Sequence, residues 1–291
     1  MPVMPVMPVM PVTPVMPVTP VTPVTPVTPV APISTRVAFV GTDELRFQGH
    51  RVFAELLGRT TFAQALILGI SGRLLDADEI LVIDDIATAM SSADPRMWPF
   101  KITRLGAAFG SASVGVAASM IGAEGGIFGA NRMRDAAGWL TELHARGELS
   151  DDELDRELVR GMKAFGVLYR SRDERFAALM QQATRRGRHA LPYARLCLRV
   201  TALARVRHGF EAHVFLGVAA LALDLGLGLD AVTALATVLL FHDSLANGVE
   251  GASQAPAVLR RLPTERIAYT GPEPRESPAS QRSLVHDVSA S

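Results

Sequence analysis

A single cysteine, Cys197, excludes a disulfide scaffold and any cysteine-rich zinc or iron–sulfur site. Excess charge of either sign is also missing: 29 basic side chains face 29 acidic ones. A nucleic-acid binder normally carries a basic surplus, so no nucleic-acid partner is expected. Lysine is nearly absent, Lys101 and Lys163 being the two present, which makes arginine the default anion contact. Aromatic residues are 6% of the chain. A core of small aliphatic side chains suits closely packed helices better than a β-sandwich. The N-terminus shows no basic segment leading into an apolar helix and a small-residue cleavage site, so a cytoplasmic location is expected. The longest apolar stretch, Val214 to Phe241, is interrupted by Asp224 and Asp230 and reads as buried helix rather than membrane span. There is no glycine–lysine phosphate loop, no Gly-x-Ser-x-Gly and no His-Glu-x-x-His.

What is present is a 291-residue chain, 48% hydrophobic, enough for one large domain or two modest ones. Residues 1–33 are a Met/Thr-Pro-Val repeat holding eleven of the 19 prolines. Proline at every third position removes donors and fixes φ, so this segment reads as a disordered, low-complexity tail with a polyproline II preference. After it, Val37–Val40 reads as a short strand and Phe53–Gly58 as a short helix closed by glycine. Thr60-Thr61 caps Phe62–Ile70, and Asp76 opens a further helix through Ile80, Ile83 and Ile86. Asp94–Pro99 is a proline-bracketed turn, and Ile102–Ile121, rich in Gly, Ala and Ser, reads as one buried helix. Glu124–Asn131 is expected to be irregular, because it is crowded with glycine.

Ser150 with Asp151, Asp152 and Glu153 is a helix start, and Gly161–Arg175 reads as a loop. Helix returns over Phe176–Arg205 with a break near Pro192, then over Phe215–Leu223 and Ala231–His242. The expected architecture is all-α: residues 34–131 and 206–272 form a large helical domain. Residues 132–205 form a smaller helical insert, and residues 273–291 a disordered tail.

Three places carry groups capable of chemistry. His208, Glu211 and His213 are close in sequence, but His213 falls off the helix face shared by the other two. A solvated helix terminus is preferred there to a zinc site, and no metal is expected. His242-Asp243 stands at the expected end of a long apolar helix, where an imidazole is either a general acid or base or simply a cap. The segment Lys163–Arg175 packs Lys163, Arg170, Arg172 and Arg175 beside glycine and an aromatic. It is either an anion-binding loop or a solvated one.

Several segments, in order, resemble citrate synthase and its relatives. Gly125-Gly126-Ile127-Phe128-Gly129-Ala130-Asn131 is similar to that family's Gly-x-x-His-Gly-Gly-Ala-Asn. Ala164-Phe165-Gly166-Val167-Leu168-Tyr169-Arg170, then Asp173-Glu174-Arg175, resembles its Gly-Phe-Gly-His-x-x-Tyr-Lys and Asp-Pro-Arg. Arg266-Ile267-Ala268-Tyr269-Thr270-Gly271-Pro272 resembles its closing Arg-x-x-Tyr-x-Gly-Pro. The resemblance implies an all-helical homodimer with a large and a small domain. It implies condensation of an acyl-CoA with a 2-oxo acid of the oxaloacetate type, or the related citryl-CoA-type cleavage. No cofactor is implied beyond acyl-CoA as co-substrate, and no membrane partner.

Carried over residue by residue, the resemblance gives Lys163, Arg170 and Arg172 to the CoA phosphates and Arg175 and Arg266 to the oxo acid. Phe128 and Val167 stand where the family has its two catalytic histidines, and the catalytic aspartate falls on Phe215. Two substrate arginines fall near Leu240 and on Thr264. Replacement acid–base groups are then sought in His242, His213 and Glu211. The alternative is a catalytically inactive homologue, a dimeric module that binds a ligand or a protein.

Overall fold

The computed structural model describes residues 33–123, 129–161, 164–166, 171–254 and 263–273. The Met/Thr-Pro-Val repeat, Lys163, Arg170, Phe128, Val167 and nearly all of the C-terminal tail lie outside them. The described chain begins with an antiparallel meander, β1 (Ala38–Val40), β2 (Leu45–Phe47) and β3 (His50–Arg51), with Ala38 opposite Phe47. Gln48 Nε2 donates to the Gly69 carbonyl at 2.9 Å, tying the meander to the helices that follow.

Ten α-helices then succeed one another among the described residues. They are α1 (Phe62–Ser71), α2 (Ala77–Met90), α3 (Trp98–Phe109), α4 (Ala112–Ala123) and α5 (Ala130–Ala145). The chain continues with α6 (Asp151–Leu158), α7 (Glu174–Arg185), α8 (Pro192–His208), α9 (Val214–Asp224) and α10 (Leu229–Ala252). The caps are the expected ones. Thr61, Asp76 and Ser150 each accept from the third helical N–H, while Gln64, Glu79 and Glu153 reach back to the cap, satisfying two orphan donors apiece. Pro192 opens α8, and Asp224, from the end of α9, accepts from the Tyr193 and Ala194 N–H groups of that helix.

Two expectations need correction. Ile102–Ile121 is not one helix but two, α3 and α4, separated at Gly110–Ser111. They fold against each other where Gly106 meets Gly115; a Cβ on Gly106 would stand 2.8 Å from the Gly115 Cα. Backbone contact of that kind requires glycine on both sides. The second correction concerns α10, which continues ten residues past the expected end at His242 to Ala252. Its second half packs on α3 and α4, with Gly248 against Ala112 and the Ser244 hydroxyl 2.9 Å from that of Ser119. The small residues Gly248 and Gly251 keep that half of α10 close to its neighbours.

The core surrounds α9, in which every residue from Val214 to Ala222 is buried. A helix apolar on all sides needs neighbours on all sides, and α9 has α2, α5, α7, α8 and α10. Among the described residues, α10 alone has the length and apolar composition of a membrane span. In this fold those features are used by packing against α3, α4 and α5.

Candidate active site

The connection after α2 links the middle of α10 to the start of α7, which in turn meets the start of α9, and a polar cluster runs through these contacts. Asp173 is the N-cap of α7, with its side chain 1% exposed. It accepts two hydrogen bonds from Arg175, from Nε at 2.7 Å and Nη2 at 2.8 Å, and one from the Val214 N–H at 2.9 Å. Burial works against its charge, but the Arg175 fork and the Val214 N–H more than offset it, holding the carboxyl below its ordinary range. Arg175 Nη1 crosses to Ser92 Oγ at 2.8 Å, in the connection after α2. The Ser92 N–H in turn faces Asp243 Oδ2 at 3.4 Å.

Asp243 is buried on α10, its side chain 5% exposed. Burial pushes its pKa up, against the downward pull of His242, the Ser92 N–H and Arg175. His242, half exposed, places Nδ1 3.6 Å from Asp243 Oδ1 and 3.3 Å from the Leu239 carbonyl. Its Nε2 lies 3.3 Å from Ser91 Oγ. A proton on Nδ1 leaves Nε2 with its lone pair outward, the state a general base requires. The cluster thus runs from Ser91 and His242 at the surface, through Asp243 and Ser92, to Arg175, Asp173 and the start of α9.

His213 is the N-cap of α9, and its Nδ1 accepts from the Phe215 N–H at 3.2 Å. That bond fixes the ring as the neutral Nε2–H tautomer, with Nε2 3.9 Å from Asp173 Oδ2. Burial lowers its pKa to about 3; Arg132 adds to the shift and Asp173 opposes it. A helix N-terminus also disfavours an imidazolium. Arg132, on α5, donates to the Phe165 and Gly166 carbonyls at 3.1 and 3.3 Å, anchoring the described part of the 161–175 segment. That segment is stitched to the approach to α9 by Gly166 N–H to the Glu211 carbonyl at 2.8 Å and His213 N–H to the Ala164 carbonyl at 3.0 Å.

The sequence-derived site residues are distributed as follows. His213, His242 and Arg175 come together in the cluster. His213 is a buried cap rather than a solvated terminus, because Ala164 and α9 close over it, and His242 stands in mid-helix rather than at a helix end. Glu211 turns its side chain to Arg205 at 3.4 Å, outside the cluster. Arg172 is exposed beside a cleft of about 530 Å³ between α7 and α8, floored by Phe176, Met180, Leu198 and Phe210. Arg266 is exposed on a short 3₁₀ turn, Thr264–Arg266. Lys163 and Arg170 lie outside the described residues. His208, exposed, pairs with Asp155 at 2.7 Å. Sequence reasoning missed Asp173, Asp243 and Ser92 as members of the cluster; Asp173 carried a signal, as an acid directly before a charged helix start.

No family model matches the chain, and no curated protein matches it. Solved structures do. The citryl-CoA lyase of Hydrogenobacter thermophilus superposes with a TM-score of 0.73 at 22% identity, covering 86% of this chain and 99% of that one. The ATP citrate lyase of Methanothrix soehngenii, solved with citrate and coenzyme A, matches at TM-score 0.64 and 17% identity, over 85% of this chain and 43% of that one. The citrate synthase of Thermoplasma acidophilum, solved with carboxymethyl coenzyme A and oxaloacetate, matches at 0.55 and 13%, over 76% and 60%. The chain has the all-α, citrate synthase-like fold.

Proposed function

We propose that the chain makes or breaks a carbon–carbon bond between a CoA thioester and a 2-oxo acid, at the cluster joining His242–Asp243 to Asp173–Arg175. The observation that carries this reading is the convergence of a solvent-reachable histidine, a buried carboxylate, a neutral buried histidine and an arginine. Support comes from the near-complete coverage of a citryl-CoA lyase by the same fold.

In the cleavage direction, His242 Nε2 takes the hydroxyl proton of the 3-hydroxyacyl adduct, and Asp243 holds the imidazolium that results. The carbon–carbon electron pair passes to the thioester α-carbon, giving an enolate and a free 2-oxo acid. His213 donates from Nε2–H to the enolate oxygen; a neutral donor suits an oxygen that must later give its charge back to carbon. The His242 imidazolium returns its proton to the α-carbon, giving the acyl-CoA; in condensation the same imidazole removes that proton and passes it to the oxo oxygen. Arg175 holds the oxo acid's carboxylate through Nη1, displacing Ser92. Lys163, Arg170 and Arg172 hold the CoA phosphates in this reading, and CoA enters as substrate rather than resident cofactor. Phe109, Val114, Ile121 and Val249, exposed on α3, α4 and α10, are the face for pairing with a second copy.

One observation favours a second reading. Nε and Nη2 of Arg175 are both given to Asp173 and Nη1 to Ser92, as expected of a structural arginine in a ligand-binding homologue without turnover. Thermal unfolding with CoA and acetyl-CoA separates the two. A CoA species at 100 times its dissociation constant adds roughly 2.7 kcal/mol if it binds the native state alone. A raised midpoint with acetyl-CoA, together with turnover that His242→Ala abolishes, is the expected outcome. Absence of both would leave the second reading.

A further inference from the structure

Both ring nitrogens of His242 are met by protein groups, and the two sets of partners differ in kind. Nδ1 lies 3.3 Å from the Leu239 carbonyl and 3.6 Å from Asp243 Oδ1. A carbonyl can only accept, so its contact is a hydrogen bond when Nδ1 carries a proton. Nε2 lies 3.3 Å from the hydroxyl of Ser91, the C-cap of α2. A hydroxyl has one proton and two lone pairs, so it can donate to a bare Nε2 or accept from a protonated one. Here the Ser91 hydroxyl donates to the Ala87 carbonyl at 3.0 Å. That carbonyl sits in the last turn of α2, and the Ser91 N–H, four residues on, turns to the Thr88 carbonyl at 3.2 Å instead. Ser91 Oγ therefore stands between two acceptors-in-waiting, Ala87 on its own helix and Nε2 across on α10.

We infer that Ser91 is the positioning residue of His242, its hydroxyl turning between the Ala87 carbonyl and Nε2 with the charge of the ring. Beside the neutral ring it donates to Nε2. The ring proton then stays on Nδ1, where the Leu239 carbonyl and Asp243 Oδ1 receive it. This tautomer is the opposite of that of His213, which the Phe215 N–H fixes. Beside the imidazolium the Ser91 hydroxyl goes back to Ala87 and accepts from Nε2–H. Rotation about one side-chain bond serves both states, and α2 need not move. The charged neighbours are Asp243, beside His242 on α10, and, through Ser92, Arg175 on α7. What the switch achieves rests on the reading given under the preceding heading. Nε2 is kept bare, and a substrate hydroxyl takes the place of Ser91 there while Ala87 takes back the Ser91 hydrogen bond.

The tautomer can be read without substrate. In the isotope-labelled full chain, long-range proton–nitrogen NMR at about pH 9, above the range of ordinary imidazoles, separates a protonated ring nitrogen from a bare one. His242 is identified among the seven histidines by the signals that His242→Gln removes. Wild type should show a protonated Nδ1 and a bare Nε2. Ser91→Ala should move the ratio of the two tautomers about threefold or more towards Nε2–H, the worth of one ordinary hydrogen bond. Ser91→Thr, which keeps the hydroxyl, should restore the wild-type ratio, a rescue that a merely structural cap would not produce in the ring signals. The inference is overturned if neutral His242 carries its proton on Nε2 in wild type, if Ser91→Ala leaves the ratio unchanged, or if Ser91→Thr behaves as Ser91→Ala does. Control of the ring by Ser91 without any reaction on CoA thioesters would uphold the inference and defeat the catalytic reading.

Discussion

At the level of single residues, Asp173 and Arg175 form a pair in which neither member is replaceable alone. Truncating Arg175 to alanine leaves an ionised carboxylate at 1% exposure with only two backbone donors, the N–H groups of residue 175 and of Val214, in place of the guanidinium. Breaking a buried pair in this way costs about 3–5 kcal/mol. Urea unfolding of Arg175→Ala should show a loss of stability of that size, read as a lower midpoint at unchanged slope; a loss under about 1 kcal/mol would mean the pair is solvated.

His213 makes a separate prediction through pH. Its folded pKa is depressed to about 3, so the unfolded chain binds a proton that the folded chain refuses. Stability conferred by the neutral ring is complete above the ordinary histidine pKa and is lost as pH falls towards the folded value. The slope is about 1.4 kcal/mol per pH unit between about pH 4 and about pH 6. Asparagine can cap α9 without titrating. The stability of wild type minus that of His213→Asn should therefore fall with that slope on acidification, and a flat difference would contradict the neutral state of the buried ring. The sequence marked His213 and His242, because histidines are few, and Arg175 through its place in the Asp173-Glu174-Arg175 segment. It named Asp243 only as the neighbour of His242 and did not mark Ser92, because their roles come from contacts made across about 150 residues of chain.

Helices α3 and α4 show what local signals leave undecided. Capping boxes at Thr61, Asp76 and Ser150 were readable because cap and third residue lie on one turn. The break at Gly110–Ser111 was not, since the flanking composition is uniformly small and apolar and only the Gly106–Gly115 contact fixes where the chain must double back. Gly115→Ala would drive a methyl group into the Thr103 carbonyl oxygen and the Ala107 backbone. A loss of about 3 kcal/mol or more is expected, within the range for overpacked cores. Gly138→Ala is the control: it lies inside α5 with open space where a Cβ would go, and should gain about 0.5–1 kcal/mol from helix propensity. Thermal melts of the two variants moving in the same direction would refute this account of the α3–α4 crossing. The same logic applies to α10, whose second half lacks strong apolar periodicity because glycines and serines carry its contacts.

For the molecule as a whole, the motifs met in sequence order at 125–131, 164–175 and 266–272 pointed to the fold, because a family's fold outlasts changes in its chemistry. They could not give the reaction, since residues that perform it need neither the same identity nor the same position. The central claim is that this cluster removes a proton from the carbon next to a CoA thioester. Incubating the protein with acetyl-CoA and a 2-oxo acid, oxaloacetate or 2-oxobutyrate, in deuterium oxide, and following the acetyl methyl group by mass spectrometry, tests that claim whichever way the overall reaction runs. The account predicts deuterium in the methyl group, oxo-acid-dependent and abolished by His242→Ala. A methyl group that stays unlabelled, with acetyl-CoA demonstrably bound, would contradict it.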